Sequence, residues 1–529
     1  MSGKQGLGRR LAALGGGASL DLAWAALLLL AAPAFGAELR RGNGGEPDSL
    51  DPALAGTQWE DNIVGDLMVG LTTLDAGARP IPGMAERWEV SKDGLTWTFH
   101  LRAAQWSDGA PVTAGDFVFA FRRLVDPATG SRYAANLWVL KNGSAVSTGK
   151  LPTTVLGAAA PRPGTLVLTL EHPAPYLPEL LSHITVSPVP RQAKTRGWAR
   201  PGTYVGNGPY LLKEWLPNDH ITLAKNPRFY DAAHVGFDTV TYYPTTDSAA
   251  AVKRFRAHEL DLQSPVATTE IGWLKTNLPG ALKVTPSLAI FYVAINLERL
   301  KDARVRRALN LAIDREAITQ KILKLGEPVA YGIVPPGTAN YPGNVGFDFR
   351  GKSYATRLAE AQTLMRQAGY GPANRLELSY AITTSPDNRR LAAVLQAMLS
   401  QIYVKLAITA TDVPNHFRAL RTHDYDLGIA NWYADVNDAS NFLDLLRSGA
   451  GNNYAGYRNP AFDRLMDLAA AQPDAARRGI LLAQAEATAL KDYPWIPLRF
   501  PAQTDLVAPE LKGWAANPRD LHRSRWLAK

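Results

Sequence analysis

The sequence contains no cysteine. That excludes disulfides, thiolate metal sites, cysteine nucleophiles and a lipid-carrying N-terminal cysteine. It leaves the compartment open, because large exported proteins often do without disulfides. Histidine is sparse, with nine residues and no two at metal-ligand spacing. His258-Glu259 lacks a second histidine one helical turn on, so the zinc-protease pattern fails. There is no Gly-x-Ser-x-Gly nucleophile elbow. No repeat, low-complexity tract or long linker interrupts the chain. Past the N-terminus no apolar run reaches the ~20 residues of a membrane span. Concentrated basic charge is also missing. The net charge of +9 is spread over 529 residues, and its densest groups, Arg304-Val305-Arg306-Arg307 and Arg389-Arg390, fall on predicted helices as solvated faces. No nucleic acid partner is expected. The 48 acidic residues cannot be paired in space from sequence, so no catalytic residue, cofactor or metal site is assigned.

What is present begins with the N-terminus. Lys4, Arg9 and Arg10 precede the apolar run Leu22 to Ala32, and small residues follow at Ala34, Gly36 and Ala37. This is the three-part layout of a secretory signal peptide, with cleavage expected after Gly36. The pair Arg9-Arg10 leaves Sec and twin-arginine export both open. The expected location is the periplasm, with no stable membrane insertion once the signal is removed. Hydrophobic residues make up 46% and charged residues 20%, which suits a large globular core. The length allows about three domains.

Periodicity places the elements. Leu95, Trp97, Phe99 and Leu101 alternate with Thr96, Thr98 and His100, the pattern of a half-buried strand, between the turns Asp93-Gly94 and Asp108-Gly109. Thr113 stands three residues before Asp116 and signals a helix start ahead of Phe117 and Phe121. From Glu38 to about Thr245 short strands are expected to dominate. From Ala249 helical spacing takes over, at Val305–Ala312, Leu358–Ala368 and Leu391–Ile402, the last leading into a strand at Val404–Ile408. The mixture predicts an α/β (α+β) architecture with more than one lobe, joined by several short crossings. Gly346-Phe347-Asp348-Phe349-Arg350-Gly351-Lys352-Ser353 fits the P-loop expression. The turn-rich segment before it, its two phenylalanines and Asp348 argue instead for a loop capping the helix near Tyr354.

The block from Gly83 to Phe117, GMAERWEVSKDGLTWTFHLRAAQWSDGAPVTAGDF, resembles the signature of the family-5 extracellular solute-binding proteins, in their oligopeptide-binding branch. Glu46-Pro47-Asp48-Ser49-Leu50-Asp51-Pro52, Asn207-Gly208-Pro209-Tyr210, Lys225-Asn226-Pro227, Val305-Arg306-Arg307-Ala308-Leu309 and Lys512-Gly513-Trp514 extend the resemblance over nearly the whole mature chain. It implies a two-lobed clamp with an additional third domain: residues 37–68, 205–294 and 501–529 as a discontinuous first lobe, 69–204 as the extra domain, and 295–500 as the other lobe. It also implies a monomer that captures a peptide ligand and hands it to an inner-membrane ABC permease, without bond chemistry. Peptides in such clamps are held as added strands, by main-chain hydrogen bonds.

The resemblance also implies the site. Asp435 matches the aspartate that pairs with a ligand's α-ammonium, and Asn431, Trp432, Tyr433 and Ala434 match the strand that pairs with the peptide, with Trp432 either a wall of the cleft, the favoured reading, or a core residue. Gly56, Thr57 and Gln58 match the opposite edge, and Tyr133 matches a tyrosine of the cleft, with core packing as its alternative. The sequence departs from the pattern at Ile429, where an arginine stands in relatives, and at Val436 and Gly56. The ligand's amino end is provided for, and its carboxyl end is not, unless Arg421 or Arg499 serves. The same clamp holding an opine, cell-wall peptide, sugar or metal chelate is the alternative reading, and an exported hydrolase a more distant one.

Overall fold

The computed structural model describes residues 37–529 apart from 195–196, 267 and 344, and leaves aside the side chains of 268 and 269. The expected signal peptide, residues 1–36, lies outside the described residues. Within them no helix is long and apolar enough to cross a membrane.

The alternating segment is the strand Thr96–Leu101, which buries Trp97 and Phe99. It pairs antiparallel with Ala85–Val90 and Thr165–Thr169, and Ala158–Arg162 completes a four-stranded sheet. Thr113 and Asp116 form a reciprocal capping box that opens the helix Ala114–Val125, whose Phe117 and Phe121 are buried. The P-loop look-alike is a helix cap. The Ser353 hydroxyl accepts from the Thr356 amide at the start of Tyr354–Gln367, Phe347 and Phe349 stack in the core, and Asp348 pairs with Arg307.

Two larger sheets carry the architecture. A seven-stranded sheet runs in the order Leu282–Pro286, Ala502–Val507, Leu262–Gln263, Glu38–Gly42, Thr239–Tyr243, His220–Lys225 and Tyr210–Leu216. A five-stranded sheet runs Val404–Thr411, Leu376–Thr383, Leu427–Tyr433, Ala289–Ile295 and Trp495–Arg499. Each has its own apolar core: Leu39, Val240 and Leu506 belong to the first, and Ile290, Leu427 and Trp495 to the second. This is the mixed α/β, multi-lobed arrangement expected.

Two details differ from expectation. The strand-rich first half also holds the helix Gln58–Leu67, opened by a capping box between Thr57 and Glu60. The boundary expected between residues 294 and 295 falls at the end of a strand. Every residue of Ala289–Ile295 pairs with Leu427–Tyr433, so this strand belongs to the five-stranded sheet. The chain passes between the two sheets at Ser287-Leu288 and again at Phe500-Pro501, and the Ser287 amide donates to the Pro501 carbonyl at 2.8 Å, stitching the two passages together.

The C-terminal segment closes as a loop whose neck is the paired bridge between Lys512 and Ala528. Gly513 sits there at φ +79°, and an added Cβ would lie 1.9 Å from the Trp526 carbonyl oxygen. Gly513→Ala should therefore destabilise the protein by about 1–3 kcal/mol, whereas Gly164→Ala, in open space, should stay within about 0.5 kcal/mol of the parent. Equilibrium unfolding of the two variants checks the pair.

Candidate functional site

A cavity of about 260 Å³ opens where the two passages lie. Its wall is drawn from segments far apart in sequence: Gly56, Thr57, Gln58 and Asp61 at the start of one helix; Tyr133 and His183 from the part of the chain that carries the four-stranded sheet; Tyr433, Ala434 and Asp435 at the end of a strand; and Arg519 from the C-terminal loop. Seven of the nine residues singled out from sequence thus meet in one place.

Asn431 and Trp432 do not line the cavity, and strand geometry gives the reason. Side chains alternate between faces, so Trp432 points away from Tyr433 and packs against the second core, its indole N–H donating to Asn441 Oδ1 at 2.8 Å. Asn431 shares the face of Tyr433 but stands two residues back, paired with Phe291. Trp432 still bears on the site. Asn441 Oδ1 also accepts the Asp435 amide at 3.2 Å, so the tryptophan and the loop after the strand are braced on one side chain. The Ala434 amide donates to Leu288 in the first passage, at 2.9 Å.

The opposite edge is organised by Glu60, which is 2% exposed. One carboxylate oxygen accepts the amides of Asp48 and Ser49, and the other accepts those of Gly56 and Thr57, at 2.7–3.0 Å. The amides of Gly56 and Thr57 are therefore spent within the protein. The Gln58 side-chain amide is spent too, donating to the Asp520 carbonyl at 2.9 Å.

Tyr133 is half-buried against the cavity, its ring 5.2 Å from that of His183. Burial raises its phenol above the usual range, helped by the charge of Asp435. His183 accepts the Thr185 amide on Nδ1. Burial pushes its imidazole down to about 4, against the pull of Asp61, so it is neutral at pH 7.

The charges divide sharply. Asp61 is a buried carboxylate paired with Arg523 at 2.9 Å. Burial would raise it, but Arg523, with Arg519 adding to it, outweighs that and holds it below the usual carboxylate range. Arg519 is paired with Glu179 at 2.6 Å, both nearly buried. Asp435 has no cation within ion-pair distance among the described residues. Its carboxylate faces the open cavity and is exposed to solvent. Partial desolvation by the surrounding wall raises its pKa, with Asn441 and Arg519 opposing. The cavity thus presents one exposed, unpaired carboxylate and a neutral imidazole. Neither Arg421 nor Arg499 lines it. Arg499 is held by Glu327 and covers the Phe291 ring at 4.3 Å.

Sequence reasoning missed Asp61, His183 and Arg519. The Thr57-x-x-Glu60 capping box could have placed Asp61 in the first turn of a helix. Nothing local marks His183 or Arg519.

Comparison with known proteins agrees with this architecture. Residues 79–454 match the family described as bacterial extracellular solute-binding proteins, family 5 Middle. The periplasmic oligopeptide-binding protein OppA of Salmonella typhimurium is 36% identical over 486 residues, 90% of this chain and 89% of that protein. The probable deoxycholate-binding periplasmic protein YgiS of Escherichia coli is 34% identical over 529 residues, 96% of this chain and 98% of that protein. Among solved structures, the unliganded open form of the periplasmic murein tripeptide-binding protein MppA matches with a TM-score of 0.87 at 32% identity, covering 94% of this chain and 98% of that one. Haemophilus influenzae OppA in complex with the peptide RPPGFSPFR matches at 0.73, also 32% identical, covering 93% and 99%. The chain belongs to the family-5 bacterial extracellular solute-binding proteins.

Proposed function

We propose that this protein is a periplasmic peptide-binding protein that captures free-amine peptides between its lobes and delivers them to an inner-membrane ABC permease, as a monomer and without bond chemistry. The observation that carries the reading is the lone carboxylate of Asp435. It is exposed to solvent and has no competing cation among the described residues, so a ligand ammonium placed in the cavity finds a free counter-charge. The peptide ligands named for the OppA and MppA relatives agree with a cationic amino end. Likeness to an open, unliganded form fits a clamp that closes on its ligand. We place the lobe boundaries at the two passages, 287–288 and 500–501, with 69–204 as the additional domain.

The backbone part of the expected mode needs one amendment. With the amides of Gly56 and Thr57 taken by Glu60, those two residues offer a ligand carbonyl oxygens and side chains rather than N–H donors. At those two positions peptide N–H groups, rather than peptide carbonyls, are the partners. The likeness to YgiS keeps a second reading, a non-peptide solute in the same clamp.

Asp435→Asn should weaken free-amine peptides by about 2–5 kcal/mol in titration calorimetry and leave N-acetylated peptides nearly unchanged. Equal losses for both would remove the amine anchor. Co-purification of one defined non-peptide, seen by mass spectrometry, would favour the second reading. The two acidic residues of the wall should also part in stability. Asp61→Asn leaves Arg523 buried without its partner and should cost about 3 kcal/mol or more. Asp435→Asn removes an uncompensated charge and should leave the unfolding free energy unchanged or raised.

A further inference from the structure

Directly beneath the cavity lies a buried acidic cluster that the ligand site does not use. Asp505, on the strand Ala502–Val507 that continues from the second passage, is 0% exposed. Asp520 and His522, on the C-terminal loop, are also buried, and ligand-type atoms of the three residues lie within 4.8 Å of one another. Asp520 is well supplied. The Ser264 hydroxyl donates to it at 3.0 Å, His522 Nε2 lies 3.2 Å from its other oxygen, and Gln58 of the cavity wall donates to its carbonyl. Asp505 has no donor of its own: among the described residues the nearby one is the Ser264 hydroxyl, which Asp520 takes at 3.0 Å. A fully buried, ionised carboxylate beside a second one, with no donor, is not a stable arrangement.

We infer that Asp505 and Asp520 share one proton, carried by Asp505 and donated to the Asp520 carboxylate, and that this buried pair makes the floor of the cavity sensitive to pH. Among the described residues no nearby cation neutralises the pair: burial pushes the His522 imidazole down to about 4, against the pull of Asp505. Lys283 stands opposite Asp505 in register, but its ammonium turns to the Gly280 carbonyl at 2.9 Å. Arg41 is committed to the His522 carbonyl and the Ser524 hydroxyl, both at 2.8 Å, and Arg523 to Asp61.

A cation is disfavoured by the tautomer of His522. The Asn517 side chain is oriented by the Arg519 and Leu521 amides on its oxygen and the Leu521 carbonyl on its nitrogen. That nitrogen points at His522 Nδ1, at 3.4 Å. That nitrogen also faces the Ala515 carbonyl at 3.3 Å, so the tautomer is set on the other side of the ring: opposite an ionised Asp520 oxygen at 3.2 Å, Nε2 carries a hydrogen rather than a lone pair for a metal. Burial raises both acids, Asp520 to about 6 and Asp505 well above the usual range.

The pair fastens the strand after the passage to the loop bearing Pro518, Arg519 and Leu521 of the cavity wall. A carboxyl raised in the folded state adds stability that is full below the unfolded value of about 4 and is lost as pH rises through the folded value. Removing the proton leaves two like charges across that joint. None of this depends on which solute the cavity takes.

The test compares wild type with Asp505→Asn, whose side-chain amide donates to Asp520 without titrating. Between about pH 5 and about pH 9 the wild-type Tm should fall by several degrees more than that of the variant. An infrared difference spectrum, wild type minus variant near neutral pH, should show a protonated-carboxyl C=O stretch. Parallel Tm profiles without that band would overturn the inference. So would a metal ion bound one-to-one whose removal by EDTA lowers the Tm. Should Asp505→Asn not fold, carboxyl-13C-aspartate labelling of the wild type reads the same proton, as a side-chain carboxyl resonance that stays protonated well above the usual range. Aspartate resonances that all titrate in the ordinary range would overturn the proposal equally.

Discussion

Burying a charge costs free energy unless an opposite charge or a set of hydrogen bonds replaces the lost water. Around the cavity that constraint is met almost everywhere. Glu60 accepts four backbone amides. Asp61 has Arg523, and Glu179 has Arg519. Asp435, on the cavity wall, is solvent-exposed and has a brace but no counter-charge. A wall that pairs its other charges and leaves one exposed carboxylate facing the cavity keeps a counter-charge available for a ligand.

The same residues tie the site to the moving parts of the molecule. Asp435 stands on the loop after a strand of the five-stranded sheet, and Gln58, Asp61 and Arg519 belong to the side built around the seven-stranded sheet. The chain crosses between the sheets at Ser287-Leu288 and Phe500-Pro501, directly at the cavity. Leu288 accepts the Ala434 amide and donates its own amide to Pro518, so one passage residue touches both walls. A change in the relative tilt of the sheets must therefore alter the spacing of Asp435 and the opposite edge. Capture of a ligand and closure of the clamp become one process.

Much of the fold was legible from local chemistry. The alternation at Trp97 and Phe99, the Thr113–Asp116 box and the capping role of Ser353 all depend on neighbours a few residues away. The helix Gln58–Leu67 was also written locally, in Thr57 and Glu60, but a strand-dominated reading of that region passed over it. The resemblance brought Gly56, Thr57, Gln58, Tyr133 and Asp435 to one cleft. What it could not carry was the identity of the partners. Arg519 and Glu179 are 340 positions apart, and Arg523 meets Asp61 across 462. No periodicity marks such pairs, because only the tertiary fold creates them. Of the two roles open to Trp432, cleft wall and core, it takes the second, because its register on the strand turns it away from the cavity.

The central claim is that Asp435 is the counter-charge awaiting a ligand's amino end. A crystal structure with a bound free-amine peptide tests it most directly. The account predicts the peptide ammonium within about 3 Å of an Asp435 carboxylate oxygen, at charge-assisted hydrogen-bond distance, with the Arg523 and Glu179 pairs unchanged. A peptide whose ammonium lies elsewhere, with Asp435 still facing solvent, would contradict it.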